Sequence, residues 1–177
     1  MRVLPRTHFG NPILRARSRD LTANFARTAS GKRLIAQMFY TMRKANGVGL
    51  AAPQIGKGIR LAVIELHSTD IRPGIGKGGK ITIVNPKILS RSKEKAYDWE
   101  GCLSFPGVRG RVARAKRIKV RYIDSEGRAV VAELSGFPAR VFQHEIDHLD
   151  GVVYVDHIDD MKTLMTTGEF VKRILKT

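Results

Sequence analysis

The sequence predicts an α+β fold: mixed and antiparallel strands packed around a central helix that carries candidate metal ligands, with an N-terminal helix before it and a C-terminal helix after it. Three observations carry this expectation. Short apolar runs read as strands, amphipathic patterns read as helices, and the two do not alternate in the regular order of a βαβ fold. The length, 177 residues, suits one domain spanning residues 1–177. A chain of that size buries roughly 70% of the surface it exposes when unfolded, so its core needs no covalent staples. Cys102 is the only cysteine, which rules out an internal disulfide and suits a reducing compartment.

The first helix is expected over about residues 30–45. Leu34, Met38 and Met42 recur at i, i+4 and i+8, with Ile35 and Phe39 beside them, a stripe that reads as core packing. Thr28 or Ser30 can cap its start, and Asn46-Gly47 is a stop signal. "RLAVIEL" (60–66) and "ITIVN" (81–85) follow as buried strands. Between them "STDIRPGIGKGGK" (68–80) lacks phosphate-loop spacing and reads as a mobile surface loop. "RIKVRYID" (117–124) alternates apolar and basic residues, so one face is expected to be wet. The turn "DSEG" then joins it to "RAVVAEL" as a hairpin. "FPARVFQHEIDHLDG" (137–151) fits the central helix, with Pro138 in its first turn and Gly151 past its end. A last helical pattern runs from Asp159 to Leu175.

The central helix holds "HEIDH" (144–148). His144 and His148 lie one turn apart on one face, the spacing for two imidazole ligands to a divalent metal. Glu145 sits about 100° further round the helix, near enough to take a proton from a water that such a metal activates. Zinc proteases share this local pattern, so the third ligand separates the possibilities. One protease pattern would place a histidine where this chain has Tyr154, although its glycine, Gly151, is present. Another uses a glutamate further along; Glu169 reads better as a solvated helix carboxylate. Cys102, in "EGCLS" (100–104), is the stronger candidate. Two imidazoles and a thiolate leave one coordination position open, and a thiolate beside a dication is deprotonated at neutral pH.

Three stretches in order, "GVGLAAPQ" (47–54), "EGCLS" (100–104) and "QHEIDH" (143–148), give a chain that resembles the peptide deformylases. The resemblance covers roughly residues 9–158, with "FGNPILR" and "HLDGVVY" near its margins. It implies one divalent metal per chain held by Cys102, His144 and His148, with Glu145 as the acid/base. It also implies an oxyanion hole made by Gln54 and the backbone N–H of Leu103. The metal implied in cells is Fe2+, while the donor set also suits Zn2+, Ni2+ or Co2+. The implied reaction removes formate from the N-formylmethionine that starts newly made proteins. Methionine needs an unbranched apolar pocket, for which Val48, Phe137 and Val141 are the candidates. Gly49 would let an extended peptide approach the backbone closely. Gly47 reads as a plain turn residue.

Charge bounds the partners. Lys and Arg number 32 against 16 Asp and Glu, a net +16, which favours anionic surroundings. No apolar run approaches the ~20 residues that span a bilayer, and the N-terminal "MRVLPRTHFG" lacks the core of a secretory signal. The expectation is a cytoplasmic protein, organellar origin left open, that acts on N-formylmethionyl peptides without membrane or DNA partners. It would touch the ribosome transiently through "RGRVARAKRIKVR" (109–121) and the basic C-terminal segment. Two rival readings are a zinc endopeptidase and a ribosome- or RNA-binding module of the same fold. A cysteine ligand argues against the first. Glu145, Gln54 and a full ligand set argue against the second.

Overall fold

The computed structural model describes residues 1–69, 71, 72, 74 and 78–176. Thr28 opens the first helix, α1 (Ala29–Lys44), by accepting a hydrogen bond from the Gly31 N–H through its hydroxyl. The chain leaves that helix through Asn46, at φ 54°. Ile35, Met38, Phe39 and Met42 are buried, each contributing about 1.5–3 kcal/mol by removal from water.

Strands β1 (Gly49–Ala51), β2 (Leu61–Glu65), β3 (Lys80–Arg91), β6 (Arg117–Ile123) and β7 (Ala129–Ser135) form an antiparallel sheet in the order β1-β2-β3-β6-β7. Its faces are set by the two-residue period of a strand. In β2, Leu61 and Val63 pack with α1, whereas Ala62 and Ile64 pack with a second helix, α2 (Gly136–Leu149). Both faces of this strand are therefore dry, which is why it reads as a continuous apolar run. In β6 Ile118, Val120 and Tyr122 pack on the α2 side of the sheet, and Arg117, Lys119 and Arg121 are exposed. That wet face and the β6–β7 hairpin agree with the alternation in the sequence.

A long hairpin, β4 (Lys95–Cys102) and β5 (Phe105–Ala115), forms a second sheet with the short β8 (Met165–Thr166). It lies across the other side of α2. Gln143 of α2 bonds both the N–H and the carbonyl of Ala115 through its side-chain amide. The central helix is thus held by apolar contacts on one side and by polar contacts to the hairpin on the other. Gly151, at φ 78°, ends the chain's helical course as the sequence predicts.

The C-terminal pattern from Asp159 to Leu175 is not one helix. Asp160 caps a 3-10 turn at Met161–Thr163, β8 follows, and Thr166 caps a fresh start at Thr167 by accepting from the Glu169 N–H. Only a helical turn at Thr167–Phe170 (α3) and a wider turn at Val171–Leu175 remain. Two local caps and a strand pairing interrupt what the apolar spacing reads as continuous. Of the 68–80 segment, expected to be a mobile surface loop, residues 70, 73 and 75–77 lie outside the described residues.

Candidate metal centre and substrate cleft

Cys102 ends β4 at a register shift, where it pairs with Phe105 across a tight turn at Leu103-Ser104. That turn aims its Sγ at α2. The Sγ lies 3.2 Å from His148 Nε2. One ligand atom each from Cys102, His144 and His148 fall within 4.8 Å of one another. Donors so spaced would hold a single divalent ion. The donor set, one thiol and two imidazoles, fits a borderline-soft divalent cation. Glu169 lies elsewhere, paired with Arg173 on the terminal turn.

Electrostatics prepare the sulfur. Burial alone would push the Cys102 thiol up, but the His148 and His144 imidazoles outweigh it and bring its pKa to about 5. Burial lowers His144, and hydrogen bonds to Cys102 and Glu100 reverse this, raising it well above the usual histidine value. The thiolate that a metal needs is already the favoured form.

His144 is oriented by a carboxylate that local motif reading missed. Its Nδ1 lies 2.9 Å from Glu100 Oε2, leaving Nε2 to face the centre. Glu100 is buried, and Arg114 grips both its oxygens at 3.0 Å. Arg140 reaches Oε1 at 2.7 Å. Arg114 also pairs with Asp147, which in turn accepts from His157 at 2.9 Å. Burial raises the Glu100 pKa, but the His144 and Arg114 contacts win and hold it far below the carboxylate range. The available clue was chemical. A metal-bound histidine commonly donates its other ring N–H to a carboxylate, and Glu100 stands two residues before Cys102.

Glu145 points into the same space. Burial pushes its carboxyl up to about 7, the nearby imidazoles pulling it back only in part. Its Oε2 is buried without a hydrogen-bond partner among the described residues. A carboxyl poised near neutrality suits proton transfer.

Gln54 sits in the 3-10 turn Ala52–Ile55, which follows β1. The Ala51 N–H donates to its Oε1 at 2.8 Å, which fixes the amide so that Nε2 lies 3.2 Å from Cys102 Sγ. The Leu103 side chain packs against Gly47, where a Cβ would stand 2.8 Å from Leu103 Cδ1. Gly47 therefore serves packing beyond the turn expected of it.

A cleft of about 350 Å³ opens onto this centre. Val48, Gly49, Phe137 and Val141, the four residues expected to meet substrate, all line it together with Cys102, His144, Glu145, Gln54 and Leu103. His148 lies beneath, almost fully buried. Gly49 owes its identity to something other than peptide approach alone, because a Cβ there would collide with Glu145. Thr69, Ile71 and Arg72, from the described part of the 68–80 segment, add a wall. Arg72 donates to Asp98 at 2.7 Å and stacks 4.5 Å above the Phe137 ring.

The basic stretch 109–121 is less free than its charge suggests. Arg114 is buried in ion pairs, Lys116 and Arg117 pair with Glu94, and Lys119 pairs with Glu133. Arg109 and Arg111 lie over the rings of Phe170 and Tyr97. Among the described residues, no helix is long and apolar enough to cross a membrane.

Residues 4–164 match the family model described as polypeptide deformylase. The chain is 43% identical over 157 residues to a peptide deformylase of Thermotoga neapolitana, covering 89% of this chain and 88% of that protein. It is 37% identical over 174 residues to peptide deformylase 2 of Nostoc sp., covering 98% and 96%. A class I type b peptide deformylase from Acinetobacter baumannii, solved with Met-Ala-Ser bound, superposes with a TM-score of 0.85 at 38% identity, covering 88% of this chain and 98% of that one.

Proposed function

Because the chain belongs to the polypeptide deformylase family, we propose that its cleft removes the formyl group from N-formylmethionyl peptides, with Cys102, His144 and His148 holding one divalent metal. The observation that carries this assignment is the convergence of those three donors within 4.8 Å beside the buried Glu145 carboxylate, whose Oε2 has no hydrogen-bond partner among the described residues. The metal reading supported by the family resemblance is Fe2+ in the cell; the donor set equally accepts Zn2+, Ni2+ or Co2+. When bound, such a cation supplies Lewis acidity, polarising the formyl carbonyl and acidifying water.

The rest falls to the chain's own groups. Glu145 takes a proton from the water that attacks the formyl carbon, then delivers it to the departing peptide nitrogen. Formate and a free amino terminus result. The amide Nε2 of Gln54 and the N–H of Leu103 donate to the oxygen on which negative charge grows. Both are neutral donors, so they add no charge that would compete with the metal. Glu100 fixes the His144 ring so that it presents Nε2.

Peptide recognition follows from the walls of the cleft. Val48, Phe137 and Val141 offer apolar surface to a methionine side chain. Strand β1, at the edge of its sheet, gives the peptide backbone a strand to pair with. The Met-Ala-Ser bound to the Acinetobacter relative supports a peptide of this kind as ligand. We read residues 1–177 as a single catalytic domain acting in the cytoplasm. Brief contact with the ribosome would come through whichever basic side chains the fold leaves unpaired.

The test is formate release from formyl-Met-Ala-Ser, run beside cleavage of an internal peptide bond in a blocked substrate. Formate release without internal cleavage is the expected result. Internal cleavage without formate release would instead identify an endopeptidase.

A further inference from the structure

We propose that Arg140 is a positioning residue for the metal centre, acting through Glu100 on His144. The proposal rests on the reading of Cys102, His144 and His148 as ligands. Arg140 lies one turn before His144 on α2, so both face the β4–β5 hairpin. Its guanidinium is buried and anchored independently of Glu100: Nη2 donates to the Ala96 carbonyl at 2.6 Å, and Nη1 to the Val112 carbonyl at 3.0 Å. Those carbonyls belong to β4 and β5. From that fixed seat Nη1 also donates to Glu100 Oε1 at 2.7 Å.

Each oxygen of Glu100 therefore has two partners. Oε1 takes Arg114 and Arg140; Oε2 takes Arg114 and His144. Arg114, itself anchored by Asp147, spans both oxygens, whereas Arg140 engages Oε1 alone. Arg140 draws Oε1 away from the centre and leaves Oε2 as the oxygen that faces His144 Nδ1. Arg140 lines the substrate cleft as well; three of its five N–H donors go to hairpin and carboxylate acceptors, and its Nε faces Asp98 at 3.9 Å.

The test measures zinc affinity by chelator competition, together with kcat and KM for a formyl peptide, in Arg140→Met and Arg140→Lys. Arg140→Met is expected to weaken zinc binding about tenfold to a hundredfold and to lower kcat, while KM stays within about twofold. Arg140→Lys keeps the charge with a single nitrogen and should fall between Met and wild type. In a Glu100→Gln background the Arg140→Met change should have little further effect, since both act on one network. A purely structural staple would lower the melting temperature and leave zinc affinity of the folded protein untouched; that result overturns the proposal. Full additivity with Glu100→Gln overturns it too. If Arg140→Met does not fold, wild-type zinc affinity in Arg140→Lys overturns it. Failure of the wild-type chain itself to bind zinc would overturn the ligand assignment along with it.

Discussion

A Cβ placed on Gly49 would stand 2.1 Å from Glu145 Oε1 and 2.6 Å from its carboxyl carbon. Real contacts do not come so close, so the glycine in β1 is what allows the buried carboxylate to lie against the strand. Gly49→Ala should force Glu145 out of place. We expect kcat to fall about 10²-fold, the loss that follows a misplacement of roughly 1 Å at a catalytic group. Metal content and circular dichroism should stay unchanged. Wild-type kcat in this variant would mean that Glu145 works from another position.

Glu145→Gln preserves shape and removes the ability to accept a proton. It should retain its metal, measured by atomic emission, and lose at least ~10² in kcat. Near-wild-type turnover would remove Glu145 from the proton-transfer role.

Gln54 offers a sharper pair of variants. Gln54→Ala removes the proposed oxyanion donor and should cost ~10²–10³ in kcat. It also leaves the Ala51 N–H without its acceptor. Gln54→Glu restores that acceptor but supplies no donor. Steady-state assays should find both variants slow. If Glu rescues the rate lost in Ala, the amide serves the turn and not the oxyanion.

These contrasts show which parts of the molecule can be read from the sequence. Helix α1 was legible because its buried residues recur with helical period, and α2 because Pro138 and Gly151 mark its ends. The β4–β5 hairpin was not. Its buried positions include Glu100 and Arg114, so the apolar alternation of a strand is absent, and Gly101, Pro106, Gly107 and Gly110 imitate loop. The candidate metal donors sit in short local motifs and could be named in advance. The network behind them depends on Glu100, Arg114 and Arg140 meeting across 14 and 40 residues of sequence, a relation that no local pattern encodes. For Gly49 the sequence identified a need for close approach and assigned it to the peptide; the structure adds Glu145 as a neighbour that a side chain there would strike.

The surplus charge leads to a separate expectation. With much of the 109–121 stretch engaged in pairs, the exposed Lys162, Lys172, Arg173 and Lys176 become the better candidates for phosphate contact. Arg173 itself is paired with Glu169. Sedimentation with ribosomes should show binding that weakens steeply as salt rises. Charge reversal at Lys172, Arg173 and Lys176 should reduce it without altering turnover of a free formyl peptide. Absence of co-sedimentation at low salt would contradict ribosome contact.

The central claim is that one thiolate and two imidazoles hold the metal on which formate release depends. The most direct measurement is metal content and formate release, taken on the same anaerobically purified samples of wild type and Cys102→Ser. Serine is a poor ligand at neutral pH, and it removes the only thiol in the chain. The account predicts one divalent ion per wild-type chain, with metal and activity lost together in the variant. A Cys102→Ser protein that keeps full occupancy and the wild-type rate would contradict it.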